Sequence, residues 1–222
     1  MRNCRNAVYK KLSMPNNYNG IAKIYDAVSR IVFQHSIIKA QVYLIQLITN
    51  NDKVLIVGGG TGWILEEISK LNKQNISVVY VEKSSAMIRL AKKRNYKNIK
   101  ANFAEEAIED YHPTEEFNVI ITPFLFDNFL QDKIEIVFNK LDTFLKPNSI
   151  WLYADFVNDK QGKKIWQQIL LKTMYLFFRI TANIETHELV NMRPYFKEKY
   201  QLLSEQFYYS GFIQAVAYRK IK

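Results

Sequence analysis

The sequence predicts an α/β protein: a mostly parallel sheet of seven strands with helices on both faces, an antiparallel C-terminal hairpin and an N-terminal helical cap. Three observations predict it. A β-branched run breaks into glycines and becomes helical at residues 54–68. Continuous apolar strands then alternate with helices, which is typical of a parallel sheet covered on both faces. Two further strand patterns close the sequence around Ser210-Gly211, a favourable hairpin turn.

Residues 1–49 are predicted to form an N-terminal arm and helical cap, and residues 50–222 the main domain, within one globular unit. A polar arm runs to about Asn19. Between Ile21 and Ile48 apolar residues recur at helical spacing, which indicates one long or two short helices. The stripe consists of Ile24, Val28, Ile31, His35, Ile38, Val42 and Ile45. Because it lies on this stripe, we expect His35 to be a buried, hydrogen-bonded side chain rather than a catalytic base.

The central elements are predicted from the spacing of apolar residues and from the turn residues that separate the segments. Strands are predicted at 53–57, 76–82, 98–103, 117–122 and 149–156, and helices at 62–72, 85–95 and 130–146. The second of these helices ends in Lys92-Lys93-Arg94. Cations there complement the negative end of the helix, so we expect them to serve the helix rather than a ligand.

The tail departs from this alternation. Residues 163–180 are strongly apolar with helical spacing, and a second helical piece is predicted at 186–192, ending before Pro194. Strands at 200–209 and 212–219 are predicted to form the hairpin that completes the sheet.

The turn at residues 57–62 predicts a nucleotide-like ligand. Glycines allow a ligand to lie against the backbone, and the N-terminus of the following helix offers free N–H groups. The spacing Gly58-x-Gly60-x-Gly62 lacks the third glycine of the dinucleotide fingerprint, because Trp63 stands there. No Gly-Lys-Ser/Thr follows, which excludes a phosphate P-loop. Glu82, at the tip of the next strand, is placed to accept hydrogen bonds from a ribose diol.

These residues resemble those of class I S-adenosylmethionine (SAM) dependent methyltransferases. The resemblance covers about residues 50–156, in the family's order, and implies a Rossmann-like fold that binds SAM and releases S-adenosylhomocysteine. Its segments are the glycine turn, Val81–Ile88, Phe117–Phe124 and Leu145–Ile150. An N-terminal segment, Ile21–Asp26, is similar to the start of small-molecule members such as the ubiquinone and menaquinone C-methyltransferases. The chain departs from the family pattern at Ile56, where an acid is usual, and at Gly59, where Cys or Ser is common.

The resemblance implies a set of cofactor-binding residues. Glu82 would hold the ribose, Met87 would pack on the adenine, and the segment from Asn102 to Glu105 would contact the adenine amino group. The whole set is Val57, Gly58, Gly59, Gly60, Thr61, Gly62, Glu82, Lys83, Met87, Asn102, Phe103 and Thr122. For Met87 a purely structural place in the core is an equal alternative.

Two residues are candidates for contact with the methyl acceptor. Asp127 follows the fourth predicted strand, where it could contact the substrate, act as a base or cap the next helix. Tyr25 lies on the helix that folds over the active site in relatives, and could equally pack that helix on the sheet. The segment Thr122-Pro123-Phe124 is not the Asn-Pro-Pro-aromatic motif of the nucleic-acid amino methyltransferases, which argues against a DNA or RNA base as acceptor.

The composition of the chain limits the classes of protein to which it can belong. The single Cys4 excludes an intramolecular disulfide framework and favours a reducing cytoplasm. No apolar run reaches the length of a membrane span, and Met1 to Lys11 lacks the apolar centre of a signal peptide. With few His and one Cys no metal-ligand spacing exists, so we expect no metal.

Charge is unevenly distributed along the chain. Net charge is +6 over residues 1–53, −1 over 54–150 and +5 over 151–222. The basic flanks favour an anionic substrate, an acidic membrane surface or, less readily, nucleic acid; a high lysine background alone is an equal alternative.

Three hypotheses of function remain. The leading one is an enzyme that transfers a methyl group from SAM to an unidentified small molecule, apolar or aromatic because the flanking segments are rich in Tyr, Phe, Trp and Met. The second, with the same fold, is methylation of RNA or a protein. The third is a non-catalytic binding module, motivated by Ile56.

Overall fold

A computed structural model describes residues 35–157 and 189–221. Its helices are α1 (Ser36–Ile45), α2 (Trp63–Lys70), α3 (Ser85–Ala91), α4 (Gln131–Phe144) and α5 (Arg193–Lys197), with a 3-10 helix at Phe126–Asn128. Its strands are β1 (Lys53–Val57), β2 (Ile76–Val81), β3 (Ile99–Ala104), β4 (Phe117–Pro123), β5 (Leu145–Phe156), β6 (Tyr200–Tyr208) and β7 (Ile213–Lys220).

The seven strands form one sheet in the order β3-β2-β1-β4-β5-β7-β6. The first five are parallel, and β7 runs antiparallel to both β5 and β6. The order reverses between β1 and β4, which makes a switch point at the carboxyl ends of these two strands. The predicted Rossmann-like, mostly parallel sheet with a C-terminal antiparallel hairpin is confirmed.

Apolar side chains cover both faces of the sheet. On one face Ile56 and Tyr80 pack with α1, α2 and α3; on the other, Leu55 and Trp151 pack with α5 and with α4, which contributes Phe138. All five side chains are fully buried or nearly so. Burial on both faces explains why the central strands read as continuous apolar runs rather than as alternating patterns.

A polar anchor joins the end of α4 to the C-terminal hairpin. The Asp142 carboxylate accepts hydrogen bonds from the Tyr200 hydroxyl at 2.6 Å and from the Lys199 ammonium at 3.1 Å. Lys220 lies 3.3 Å from the same carboxylate and donates to the carbonyls of Asp142 and Leu145 at the end of the helix. The pKa of Asp142 is lowered because these partners outweigh the opposing effect of burial.

Four local predictions were wrong. His35 is exposed and starts α1 with a left-handed φ of 66°, because the buried stripe of this helix runs through Ala40, Leu44 and Ile45 instead. Residues 189–192, the described part of the helix predicted at 186–192, are not helical, and Pro194 lies in the first turn of α5, where its missing N–H costs nothing.

The other two differences are at boundaries. The hairpin loop spans four residues, 209–212, rather than two; Tyr209, Ser210 and Gly211 all have positive φ. Helix α4 ends at Phe144, and β5 begins at once, with an irregular register where Phe117 pairs with Leu145 and Val119 with Ile150.

Several predictions fall outside the described residues: the polar arm, the stripe from Ile24 to Ile31, Tyr25, the helix at 163–180 and the first part of the 186–192 segment. Among the helices of residues 35–157 and 189–221, none is long and apolar enough to cross a membrane.

Candidate cofactor and acceptor site

The glycine turn lies at the switch point, between β1 and α2. Gly58, Gly60 and Gly62 have φ values of 70°, 62° and 77°, a conformation that residues with a Cβ adopt only under strain. The Gly58 N–H donates to the Val81 carbonyl at 2.9 Å, so the turn is fixed to the end of β2. The turn therefore holds a defined shape beside the carboxyl ends of β1 and β2.

Neighbouring side chains leave no space for a Cβ at two of these positions. A Cβ at Gly59 would stand 2.4 Å from the Tyr80 hydroxyl oxygen, and one at Gly62 2.5 Å from the Ala91 Cβ. The Tyr80 hydroxyl also donates to the Gly60 carbonyl at 2.9 Å. Gly59 thus replaces the usual Cys or Ser because Tyr80 fills the space in which their side chain would begin.

The Glu82 carboxylate lies against the same turn. Its Oε1 accepts the Ser84 N–H at 2.8 Å and its Oε2 the Gly60 N–H at 3.2 Å. Burial raises the pKa of Glu82, since its side chain is 8% exposed, while the backbone donors of Ser84, Gly60 and Lys83 favour the charged form. The Glu82 carboxylate is therefore held beside Gly60, where a ribose bound along the turn would contact it.

Arg94 braces the turn from the segment that follows α3. Its Nε donates to the Thr61 carbonyl at 3.0 Å and one terminal nitrogen to the Thr61 hydroxyl at 3.1 Å. Glu66 on α2 lies 3.7 Å from the guanidinium. Arg94 therefore acts on the glycine turn rather than only on the end of its own helix, which the sequence did not reveal.

The remaining predicted cofactor residues lie around the turn in different settings. Val57 and Met87 are each 2% exposed, and the Met87 N–H donates to the Ser84 hydroxyl that caps α3. Lys83 is exposed just after Glu82. Thr122 is fully buried, and its hydroxyl accepts the Trp151 indole N–H at 2.9 Å.

Strand β3 continues one residue further than predicted, to Ala104. Asn102 and Phe103 therefore lie within the strand, with Asn102 exposed, and the segment beyond the strand begins at Glu105. The Phe103 ring packs on Tyr80, with 5.3 Å between centroids. Phe103 consequently supports the ring that shapes the glycine turn.

The exit of β4 lies against the first glycine. A Cβ at Gly58 would stand 3.0 Å from a terminal methyl carbon of Leu125. The chain reverses at Phe124, which has a positive φ of 53° and donates its N–H to the Ala154 carbonyl at 2.7 Å. This reversal brings the 3-10 helix, which carries Asp127, next to the glycine turn. Asp127 is half-buried, and the Asn128 side-chain amide donates to its carboxylate at 2.5 Å.

A second acid lies beside Asp127 that the sequence analysis did not single out. Asp155, near the carboxyl end of β5, is 2% exposed, and one of its carboxylate oxygens accepts the Phe156 N–H at 2.8 Å. Its other oxygen, Oδ2, has no hydrogen-bond partner in the part of the chain that the structure describes. The sequence places Asp155 inside an apolar strand, and an acid in such a run was the one available signal.

The turn fits a nucleoside cofactor. A Cβ at Gly60, whose N–H donates to Glu82, would meet no atom of residues 35–157 and 189–221 within 4 Å. Carboxylate, backbone amides and glycine surfaces are the groups that hold a ribose and a charged tail. In the part of the chain that the structure describes, no cluster of three or more His, Cys, Asp or Glu could hold a metal ion.

Comparison with known proteins gives the family. Residues 54–148 match a family model described as "Methyltransferase domain". Malonyl-[acyl-carrier protein] O-methyltransferase 2 of Ilyobacter polytropus is 30% identical over 153 residues, which cover 67% of this chain and 56% of that protein. The chain thus spans little more than half the length of this relative.

Solved structures agree on the fold. The 1,6-didemethyltoxoflavin-N1-methyltransferase of Burkholderia thailandensis superposes with a TM-score of 0.58 at 12% identity, over 91% of this chain and 85% of that one. The N-methyltransferase NodS of Bradyrhizobium japonicum gives a TM-score of 0.57 at 10% identity, over 83% and 94%. With the matched domain, the sheet order and the glycine turn, the chain carries a class I SAM-dependent methyltransferase domain.

Proposed function

We propose that this protein transfers a methyl group from SAM to a small-molecule acceptor with an apolar or aromatic body. The observation that carries the proposal is the glycine turn with Glu82 hydrogen-bonded to the Gly60 N–H, at the carboxyl ends of β1 and β2. The neighbour from Burkholderia thailandensis, a methyltransferase of 1,6-didemethyltoxoflavin, supports a small acceptor, and the relative from Ilyobacter polytropus, an O-methyltransferase of malonyl-[acyl-carrier protein], supports methyl transfer.

The chain's own residues would divide the work between holding the cofactor and excluding water. Glu82 would accept the two ribose hydroxyls, the residues from Val57 to Gly62 would line the methionine end, and Met87 with Asn102 and Phe103 would flank the adenine. Bound SAM supplies a methyl group already activated by the sulfonium. Positioning of the acceptor in a dry site then accounts for most of the rate.

Acceptor contact is assigned to the exit of β4. Asp127 lies there, two residues beyond Leu125, which touches Gly58. Tyr25 belongs to the N-terminal cap proposed for residues 1–49 and remains a second candidate; it lies outside the described residues. The basic flanks support an acidic group on the acceptor or an encounter with an acidic membrane surface, in the cytoplasm.

Calorimetric titration of the purified chain with SAM and with S-adenosylhomocysteine tests the proposal. We expect micromolar binding that Glu82→Ala weakens at least about tenfold, which is roughly 1.4 kcal/mol. Glu135→Ala is the matched control, because Glu135 is an exposed acid on α4. A folded wild-type chain that binds neither compound would contradict the proposal and favour a binding module for some other ligand.

A further inference from the structure

Two carboxyl groups lie at the carboxyl ends of the adjacent strands β4 and β5. Asp127 follows β4 on the 3-10 helix, and Asp155 lies near the end of β5. The register of these strands pairs Pro123 with Ala154, the residue just before Asp155. Both acids therefore lie at the edge of the sheet where ligands bind in parallel α/β folds.

The surroundings of Asp155 are not those of a structural acid. A buried structural carboxylate is paired with a cation or fully hydrogen-bonded. Among the described residues, Asp155 accepts the Phe156 N–H, and its Oδ2 has no hydrogen-bond partner. Its carboxyl group lies near the backbone of Phe126 and Asp127, at the start of the 3-10 helix, which favours the charged form.

The electrostatics of the two acids are linked. Burial raises the pKa of Asp155 to about 7. Burial and the nearby charge of Asp155 raise the pKa of Asp127 well above its ordinary value, and the hydrogen bond from Asn128 only partly offsets this. Two like charges in a desolvated site resist simultaneous ionisation, so the two carboxyl groups titrate as a coupled pair.

We propose that Asp127 and Asp155 form a carboxyl pair that accepts the proton of the methyl acceptor, with Asp127 as the group that contacts the acceptor and Asp155 as the residue that positions and tunes it. This assignment rests on the proposed function. It identifies the reacting atom of the acceptor as an oxygen or nitrogen that carries a hydrogen, such as a hydroxyl or an amine.

The proton balance is simple. The acceptor oxygen or nitrogen bonds the methyl carbon and releases its proton to the Asp127 carboxylate; the electrons of the broken sulfur–carbon bond remain on sulfur. The pair then returns the proton to water. This balance applies to an acceptor atom that carries a hydrogen; a carboxylate acceptor has no proton to give.

In residues 35–157 and 189–221, the other titratable groups near the pair are phenols. Tyr153 on β5 and Tyr218 on β7 both have a raised pKa, chiefly through burial, so they stay neutral near pH 7. The Gln214 side chain on β7 donates to the Tyr153 hydroxyl at 3.3 Å and carries no charge. Asp155 thus contributes a charge beside Asp127.

Carboxyl titration by NMR of the full chain, labelled with ¹³C at the aspartate carboxyl, tests the inference. Signals are assigned with Asp127→Asn and Asp155→Asn. We expect the Asp127 signal to titrate well above pH 4 in the wild type and to fall by about one pH unit or more in Asp155→Asn, because a like charge is removed. Asp132→Asn, at an exposed acid on α4, is the control and leaves the titration unchanged.

The charge of the cofactor gives a second measurement. SAM carries a positive sulfonium where S-adenosylhomocysteine carries a neutral sulfur, so a pair that faces the methyl site titrates lower, by about half a pH unit or more, in the SAM-bound protein. A merely structural pair would titrate identically in both complexes. This comparison uses only the wild type and stands even if a variant does not fold.

The outcomes separate the two proposals. An Asp127 titration that ignores Asp155→Asn overturns the pair. A coupled titration that is the same with either bound cofactor overturns its role at the methyl site. Failure of the proposed function shows instead as the absence of cofactor binding by calorimetry, and the proton role falls with it.

Discussion

Replacement of Gly59 by alanine tests how neighbouring side chains shape the glycine turn. The new Cβ would stand 2.4 Å from the Tyr80 hydroxyl oxygen and 2.6 Å from two ring carbons, about 1 Å closer than ordinary contact allows. Tyr80 is fully buried against Phe103, so it has no empty space into which to move. Overpacking of this kind costs about 1–3 kcal/mol, and loss of the hydrogen bond to the Gly60 carbonyl about 1 kcal/mol more.

The assay is a double-mutant cycle on Gly59→Ala and Tyr80→Leu, measured by urea unfolding and by SAM calorimetry. Gly59→Ala is expected to lower the free energy of unfolding by about 2–4 kcal/mol and to weaken SAM binding. Tyr80→Leu alone costs a similar amount through the cavity that it leaves. Because Tyr80→Leu removes the clash, we expect the double variant to be about 1 kcal/mol or more better than the sum of the single changes.

Gly60→Ala is the matched control. A Cβ there meets no neighbour, but φ is 62°, so its cost of about 1 kcal/mol is conformational and Tyr80→Leu does not relieve it. Additive effects of Gly59→Ala and Tyr80→Leu would refute the steric explanation.

Three further predictions concern buried charge and the brace on the turn. The pKa of Asp155 is raised from 3.8 to about 7, so the folded wild type loses stability as pH rises through that window. Asp155→Asn carries no such charge, so between pH 4 and pH 8 its free energy of unfolding should rise by a few kcal/mol relative to the wild type in denaturant titrations. Equal pH profiles would contradict this. The pKa of Asp142 is lowered, so its contribution to the free energy of unfolding is present near neutral pH and lost as pH falls below about 3.8. Asp142→Asn should therefore lower the free energy of unfolding by about 1–3 kcal/mol at pH 7, measured by urea unfolding. A loss that persisted fully at pH 2 would be inconsistent with the anchor. Arg94→Ala should weaken SAM binding several-fold by calorimetry because the turn loses two hydrogen bonds at Thr61; Lys93→Ala, at an exposed neighbour, should change little, and a comparable loss there would argue against the brace.

The elements that could be predicted from the sequence are those with a local cause. Strand β1 is a β-branched run that ends in glycines, and β1, β2 and β4 are apolar stretches that are each followed by a helix. The place of Glu82 beside the turn follows from the same topology, since the carboxyl ends of adjacent parallel strands meet at one edge.

What could not be predicted depends on pairs that are distant along the chain. Tyr80 occupies the space of a side chain at Gly59, Arg94 reaches Thr61, and Asp155 lies beside Asp127. None of these pairs leaves a periodic or spacing pattern in the sequence. Pro194 shows a different failure: the same residue breaks a helix interior and starts a helix, and only the surrounding packing decides between the two.

The position of β7 has a consequence for synthesis of the protein. β7 is last in the chain but lies between β5 and β6 in the sheet. While the ribosome makes the residues after 156, at roughly 5–20 per second, the outer edge of β5 has no strand to pair with. This edge runs along Trp151 to Phe156, which are all buried in the finished sheet, so for several seconds the nascent chain exposes a long apolar strand. Translation that stalls in this interval should therefore yield aggregates rather than a smaller folded domain.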